Sequence, residues 1–130
     1  MRTTLLKLAL AAFGAVFLLV YPLSIIWPSG WAWHMGAPYE SDYFMMIVGV
    51  YATLGVFLIL ASRNPETNRS LIWFTVASSV VHAAIMAVQS FGRAGGMDHM
   101  GHLWGDVPAL LLVAIVLSVL MLMPDKTSKA

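Results

Sequence analysis

The sequence predicts an all-α membrane protein, a four-helix transmembrane bundle with both termini on the cytoplasmic side and two loops over its outer end. Three observations predict it. Four apolar runs, Leu8–Trp27, Tyr43–Ser62, Leu71–Phe91 and Val107–Met123, take up most of the chain. Crossing a hydrocarbon core of ~30 Å takes roughly 20 apolar helical residues, and backbone inside lipid must satisfy its own hydrogen bonds, so such runs form helices. The composition agrees: 60% of the residues are hydrophobic and 10% charged, where a soluble domain carries about a quarter charged. The third observation is charge placement. Arg2 and Lys7 precede the first run, Arg63 and Arg69 lie between the second and third, and Lys126 and Lys129 follow the fourth. Only Arg93 falls on the opposite side, and basic residues favour the cytoplasmic face.

The first run begins like a signal peptide, with basic residues before an apolar stretch. A signal core is about 7–15 residues long and ends at a small-x-small cleavage site. This run continues to Trp27 and stops at Pro28-Ser29-Gly30. The expectation is a retained first helix that also targets the chain. The second run starts after Ser41 and Asp42, either of which can cap a helix. It ends at Asn64-Pro65-Glu66, because proline disfavours helix in the residue before it. Asn68 or Ser70 can cap the third run. Asp106 can cap the fourth, with Pro108 tolerated in its first turn. After four spans and their connections no residues remain for a soluble domain, so residues 1–130 read as one membrane domain.

Lipid gives no hydrophobic drive between helices, so small residues that permit close approach do much of the packing. They are Ala11, Gly14 and Ala15 in the first run, Gly49, Ala52, Thr53 and Gly55 in the second, and Ser79, Ala83 and Ala87 in the third. The short turn predicts that the second and third runs form the tightest pair. Trp27, Trp31, Trp33, Tyr39, Tyr43 and Trp104 form an outer aromatic belt, and Trp73 marks the inner interface.

Several chemistries are excluded or lack a motif. With no cysteine, disulfides, thiol catalysis and thiolate metal sites are out. A net charge of +1 supplies no basic surface for nucleic acid. No carboxylate falls inside a predicted span, which argues against an ordinary proton-coupled pump. No phosphate-binding glycine loop, HExxH or GxSxG occurs.

Two groups of residues can carry chemistry. His82 lies deep in the third run, about 13 Å from its outer end at ~1.5 Å per residue. Ionisable residues at such depth face the bundle interior and mark functional sites by default. Ser78, Met86 and Gln89 share its helical face, and Tyr51 lies at the same depth in the second run, which suggests a Tyr51–His82 hydrogen bond. The other group is the loop Gly95-Gly96-Met97-Asp98-His99-Met100-Gly101-His102. Imidazole and thioether together suit copper, with zinc next. His99 and His102, with Met97 and Met100, could hold an ion, the shell completed by His34, Met35, Glu40 and Asp42 of the other outer loop. Haem would need a second axial ligand besides His82.

Trp27-Pro28-Ser29-Gly30-Trp31, Met46-Ile47-Val48-Gly49-Val50-Tyr51-Ala52-Thr53-Leu54-Gly55, Ser70-Leu71-Ile72-Trp73-Phe74-Thr75, His82-Ala83-Ala84-Ile85-Met86 and Gly101-His102-Leu103-Trp104-Gly105-Asp106-Val107-Pro108-Ala109-Leu110 form a recognisable set. As a set they resemble a family of small bacterial four-span membrane proteins catalogued only as a domain of unknown function. The resemblance runs from about Pro22 to Met123. It implies a bacterial inner-membrane setting and brings no activity, cofactor or partner. His82, His102 and Asp106 lie inside the matching segments, whereas Met97 to Met100 do not.

The leading functional expectation is a non-enzymatic accessory or oligomeric membrane component. Its partners would be the lipid bilayer and a second copy or another membrane protein, met through the small-residue stripes. One alternative is a copper, zinc or haem binding protein at the outer face. Another is a small redox or quinone-handling protein built on His82, Tyr51 and Gln89, with Asp106 and His102 at the outer mouth.

Overall fold

The computed structural model describes residues 1–28, 37–91 and 101–124. Among them every regular element is helical: α1 (Arg2–Leu18), α2 (Val20–Ile26), α3 (Asp42–Ala61), α4 (Arg69–Phe91), α5 (Gly101–Trp104) and α6 (Asp106–Leu122), with short 3₁₀ turns at Pro38–Glu40 and Pro65–Asn68. Three helical stretches are long and apolar enough to cross a membrane: Asp42–Ala61, Pro65–Phe91 and Gly101–Leu122. The first predicted span is not one straight helix. It starts earlier, at Arg2, and bends by 59° between α1 and α2, so it makes a fourth crossing only if the bent pair counts as one. Pro22 explains the break, since it has no N–H for the Leu18 carbonyl and its ring crowds that carbonyl.

Helix ends follow local chemistry. Ser41 caps α3, its hydroxyl accepting from the Phe44 N–H at 3.2 Å. Beyond Ala61 the chain tightens, with Arg63 N–H donating to Leu60 and Asn64 N–H to Ala61, both at 3.1 Å. Asn68 donates its side-chain amide back to the Asn64 carbonyl at 2.8 Å.

The pairing of helices differs from the expectation. α3 packs chiefly on α1 and α4 chiefly on α6, while α3 and α4 touch little beyond their turn. The reason is at Gly14 and Gly55, where α1 and α3 cross backbone to backbone. A Cβ on Gly14 would sit 2.7 Å from the Gly55 carbonyl oxygen, and one on Gly55 would sit 2.6 Å from the Gly14 oxygen. Ser79 and Ala83 are buried, and Ala83 and Ala87 pack with Val107 and Leu110 of α6, so the α4 stripe meets α6 rather than α3. Between α3 and α4 an open apolar groove remains, lined by Met46, Gly49, Val50, Thr53, Phe57 and Phe74 among others.

The main core joins all four long helices through Leu6, Leu10 and Phe17 of α1, Leu58 of α3, Ile72 and Val76 of α4, and Val113, Leu117 and Leu120 of α6. Hydroxyls within it return to the helix backbone: Thr75 donates to the Leu71 carbonyl at 2.9 Å. One end of the assembly is tied by Arg2. Its guanidinium pairs with Glu66 and donates to the Met123 carbonyl at 3.0 Å, and Glu66 also holds Arg69 at 3.1 Å. The start of α1, the α3–α4 turn and the end of α6 therefore lie together.

Candidate functional site

From that shared end, α6 rises about 24 Å to Asp106, whereas α4 rises about 20 Å to His82 and about 33 Å to Phe91, at ~1.5 Å per residue. The start of α6 therefore lies only a few ångströms above the level of His82. α5 packs against both α4 and α6. Gly105 joins α5 to α6, its N–H donating to the Gly101 carbonyl at 3.0 Å. The sequence placed His102 in an outer loop. The structure gives it a helical turn in the same apolar stretch as α6, Gly101–Leu122, and buries it, at 8% exposure.

Asp106 does not cap α6. Gly105 holds the cap position, with no side-chain cap bond. His102 and Asp106 are four apart, a spacing that puts two helical side chains on one face, and the pair bonds His102 Nδ1 to Asp106 Oδ2 at 2.7 Å. Asp106 is 7% exposed, and its other oxygen, Oδ1, is buried with no hydrogen-bond partner among the described residues.

The second pair is the one suggested by matched depth. The Tyr51 hydroxyl lies 2.5 Å from His82 Nδ1, joining α3 to α4. Phe17 of α1 fixes the tyrosine ring edge-on, with centroids 5.0 Å apart. Tyr51 also packs against the buried cluster of Ala83, Val107 and Leu110, as Met86 does, so α3, α4 and α6 meet at this point. Asp106 directly precedes Val107 of that cluster, so the two pairs are neighbours. Two hydrogen-bonded pairs from four helices thus form one polar group in apolar surroundings.

The other sequence candidates divide. Ser78 is half-buried and donates to its own helix, to the Thr75 carbonyl at 3.2 Å. Gln89 is exposed. His34, Met35, Met97, His99 and Met100 lie outside the described residues, as do Arg93, Lys126, Lys129, Trp31 and Trp33. Among the described residues no group of three or more histidines, aspartates or glutamates is placed to hold a metal ion. Sequence reasoning missed the His102–Asp106 pair as a pair, although its four-residue spacing was the available signal.

Over residues 2–128 the chain matches the family described as "Family of unknown function (DUF6632)". The chain belongs to that family. The match covers Tyr51, His82, His102 and Asp106 alike. No curated protein and no solved structure matches the chain. Membership in DUF6632 carries no activity, so the side-chain chemistry is the guide to function.

Proposed function

We propose that this chain is a bacterial inner-membrane protein with four crossings and both termini cytoplasmic. In this reading it is a non-enzymatic component that holds a membrane-soluble molecule by its polar head. The bent pair α1–α2 supplies the first crossing. The Arg2 end is cytoplasmic, because Arg2, Arg63 and Arg69 gather there. The polar group then lies in the outer half.

One observation carries the binding reading: the orphaned Oδ1 of Asp106. A buried acceptor without a partner costs about 1–3 kcal/mol, more when charged, and such groups in native proteins call for a ligand, a water or a catalytic role. Here it stands beside a histidine–tyrosine pair in a membrane-embedded setting, where ionisable groups mark functional sites. Photolabelling with an azido-hydroquinone in proteoliposomes tests the reading. Label should concentrate around Tyr51, His82 and Asp106 and fall several-fold in folded His82→Ala. Label spread over the lipid-facing surface and indifferent to that substitution would refute it.

Self-association is a second reading. Gly14, Gly55, Ser79 and Ala83 are used inside the chain, but a Cβ on Gly49 would meet nothing within 4 Å. With Thr53 it leaves a small-residue face open in the α3–α4 groove, the kind of surface on which a second helix packs. The chain has no cysteine, so Gly49→Cys gives a unique probe. Disulfide dimers in membranes support a second copy in the groove; monomer alone removes it.

A further inference from the structure

The polar group has a specific pattern of donors and acceptors. Among the described residues the Tyr51 hydroxyl has one partner, His82 Nδ1. A tyrosine hydroxyl has one proton and Nδ1 is its one partner there, so the assignment that satisfies both groups has the hydroxyl donating to Nδ1 and the ring proton on Nε2. With that assignment His82 Nε2–H is a donor, and no hydrogen bond to it is present among the described residues. On α6, His102 Nδ1–H donates to Asp106 Oδ2, which leaves Oδ1 as an unmatched acceptor. The site therefore presents one donor and one acceptor, from adjacent helices.

We infer that the site takes a hydroxyl-bearing aromatic head group, a phenol or quinol, in preference to the oxidised carbonyl form. This inference rests on the binding reading above and names its ligand class. A hydroxyl both donates and accepts, so it can serve Asp106 Oδ1 and His82 Nε2–H together. A quinone carbonyl only accepts, and would set an acceptor against the carboxylate. An ammonium only donates, and would leave the histidine N–H unmatched. The surroundings suit an aromatic ring: Met86, Val107 and Leu110 border the group and Phe17 already holds Tyr51 edge-on. Methionine sulfur adds favourable contact with aromatic rings.

The test compares three probes on the full chain in nanodiscs by titration calorimetry. They are 1,4-naphthohydroquinone kept reduced, its dimethyl ether and 1,4-naphthoquinone. The hydroquinone should bind about tenfold or more tighter than either of the others, the worth of one hydrogen bond to a charged group. Asp106→Asn should remove most of that preference. The wild-type comparison needs no variant, so it decides the matter even if Asp106→Asn fails to fold. Equal binding of hydroquinone and ether, or preference for the quinone, overturns the inference and leaves the binding site standing. Absence of binding by all three overturns both.

Discussion

Replacing Gly55 by alanine should separate α1 from α3 and disturb the polar group through Phe17. The added Cβ would lie 2.6 Å from the Gly14 carbonyl oxygen, 3.2 Å from the Leu18 nitrogen and 3.2 Å from Phe17 Cβ. Ordinary contact begins at 3.4 Å, so the closest atom is about 0.8 Å too near, and it is backbone that cannot rotate aside. Overpacking of this kind costs typically ~1–3 kcal/mol, and a backbone clash belongs at the upper end. Gly14→Ala meets the same geometry, with Ile59 Cγ1 at 2.8 Å as a further obstacle. Gly49→Ala is the matched control, since its Cβ meets nothing within 4 Å, and alanine gains roughly 0.5–1 kcal/mol of helix preference over glycine. Unfolding in mixed micelles by a denaturing detergent measures all three. Gly14→Ala and Gly55→Ala should lose about 2–3 kcal/mol while Gly49→Ala is neutral or slightly stabilised. If the three variants behave alike, the glycine crossing is not what joins α1 to α3.

Tyr51→Phe keeps the ring against Phe17 but removes the hydrogen bond to His82, at a cost of about 0.5–1.5 kcal/mol; the ¹⁵N spectrum of His82 should change with it. Pro22→Ala restores an N–H for the Leu18 carbonyl and should relax the 59° bend. The spin-label separation between Leu8→Cys and Ile26→Cys should then lengthen by about 3 Å toward the ~27 Å of a straight helix. Arg2→Ala unties α1 from Glu66 and Met123. Because Glu66 is half exposed, the loss should be at most about 1 kcal/mol and salt-sensitive, seen as faster amide exchange at the end of α6.

Much of this arrangement was readable from the residues. Hydropathy and length located α3, α4 and α6 to within about two residues, because lipid leaves the backbone so few alternatives; the first run was placed too late and as one helix. Counting rise per residue was enough to match Tyr51 with His82. The pairing of α1 with α3 was not readable, because glycine and alanine stripes show that a helix can be approached closely without naming the partner. A short turn suggested α3 with α4, and only the Gly14–Gly55 crossing decides against it. Asp106 misled for a related reason: an aspartate before an apolar run is the usual sign of a cap. The competing signal, His102 four residues earlier, gained weight only once α5 proved helical. Pro22 sat inside a run whose apolar character hid its effect on the backbone.

The central claim is that the Asp106 carboxylate, with His82 nearby, receives a ligand hydroxyl. Solid-state NMR in bilayers, with ¹³C at the Asp106 carboxyl and ¹⁵N in both histidine rings, tests it most directly. The account predicts a strong carboxyl coupling to His102 Nδ1 in the free protein. It also predicts that 1,4-naphthohydroquinone moves both the Asp106 carboxyl and the His82 Nε2 resonances, while the dimethyl ether moves neither. A hydroquinone that binds and leaves both resonances unmoved would contradict it.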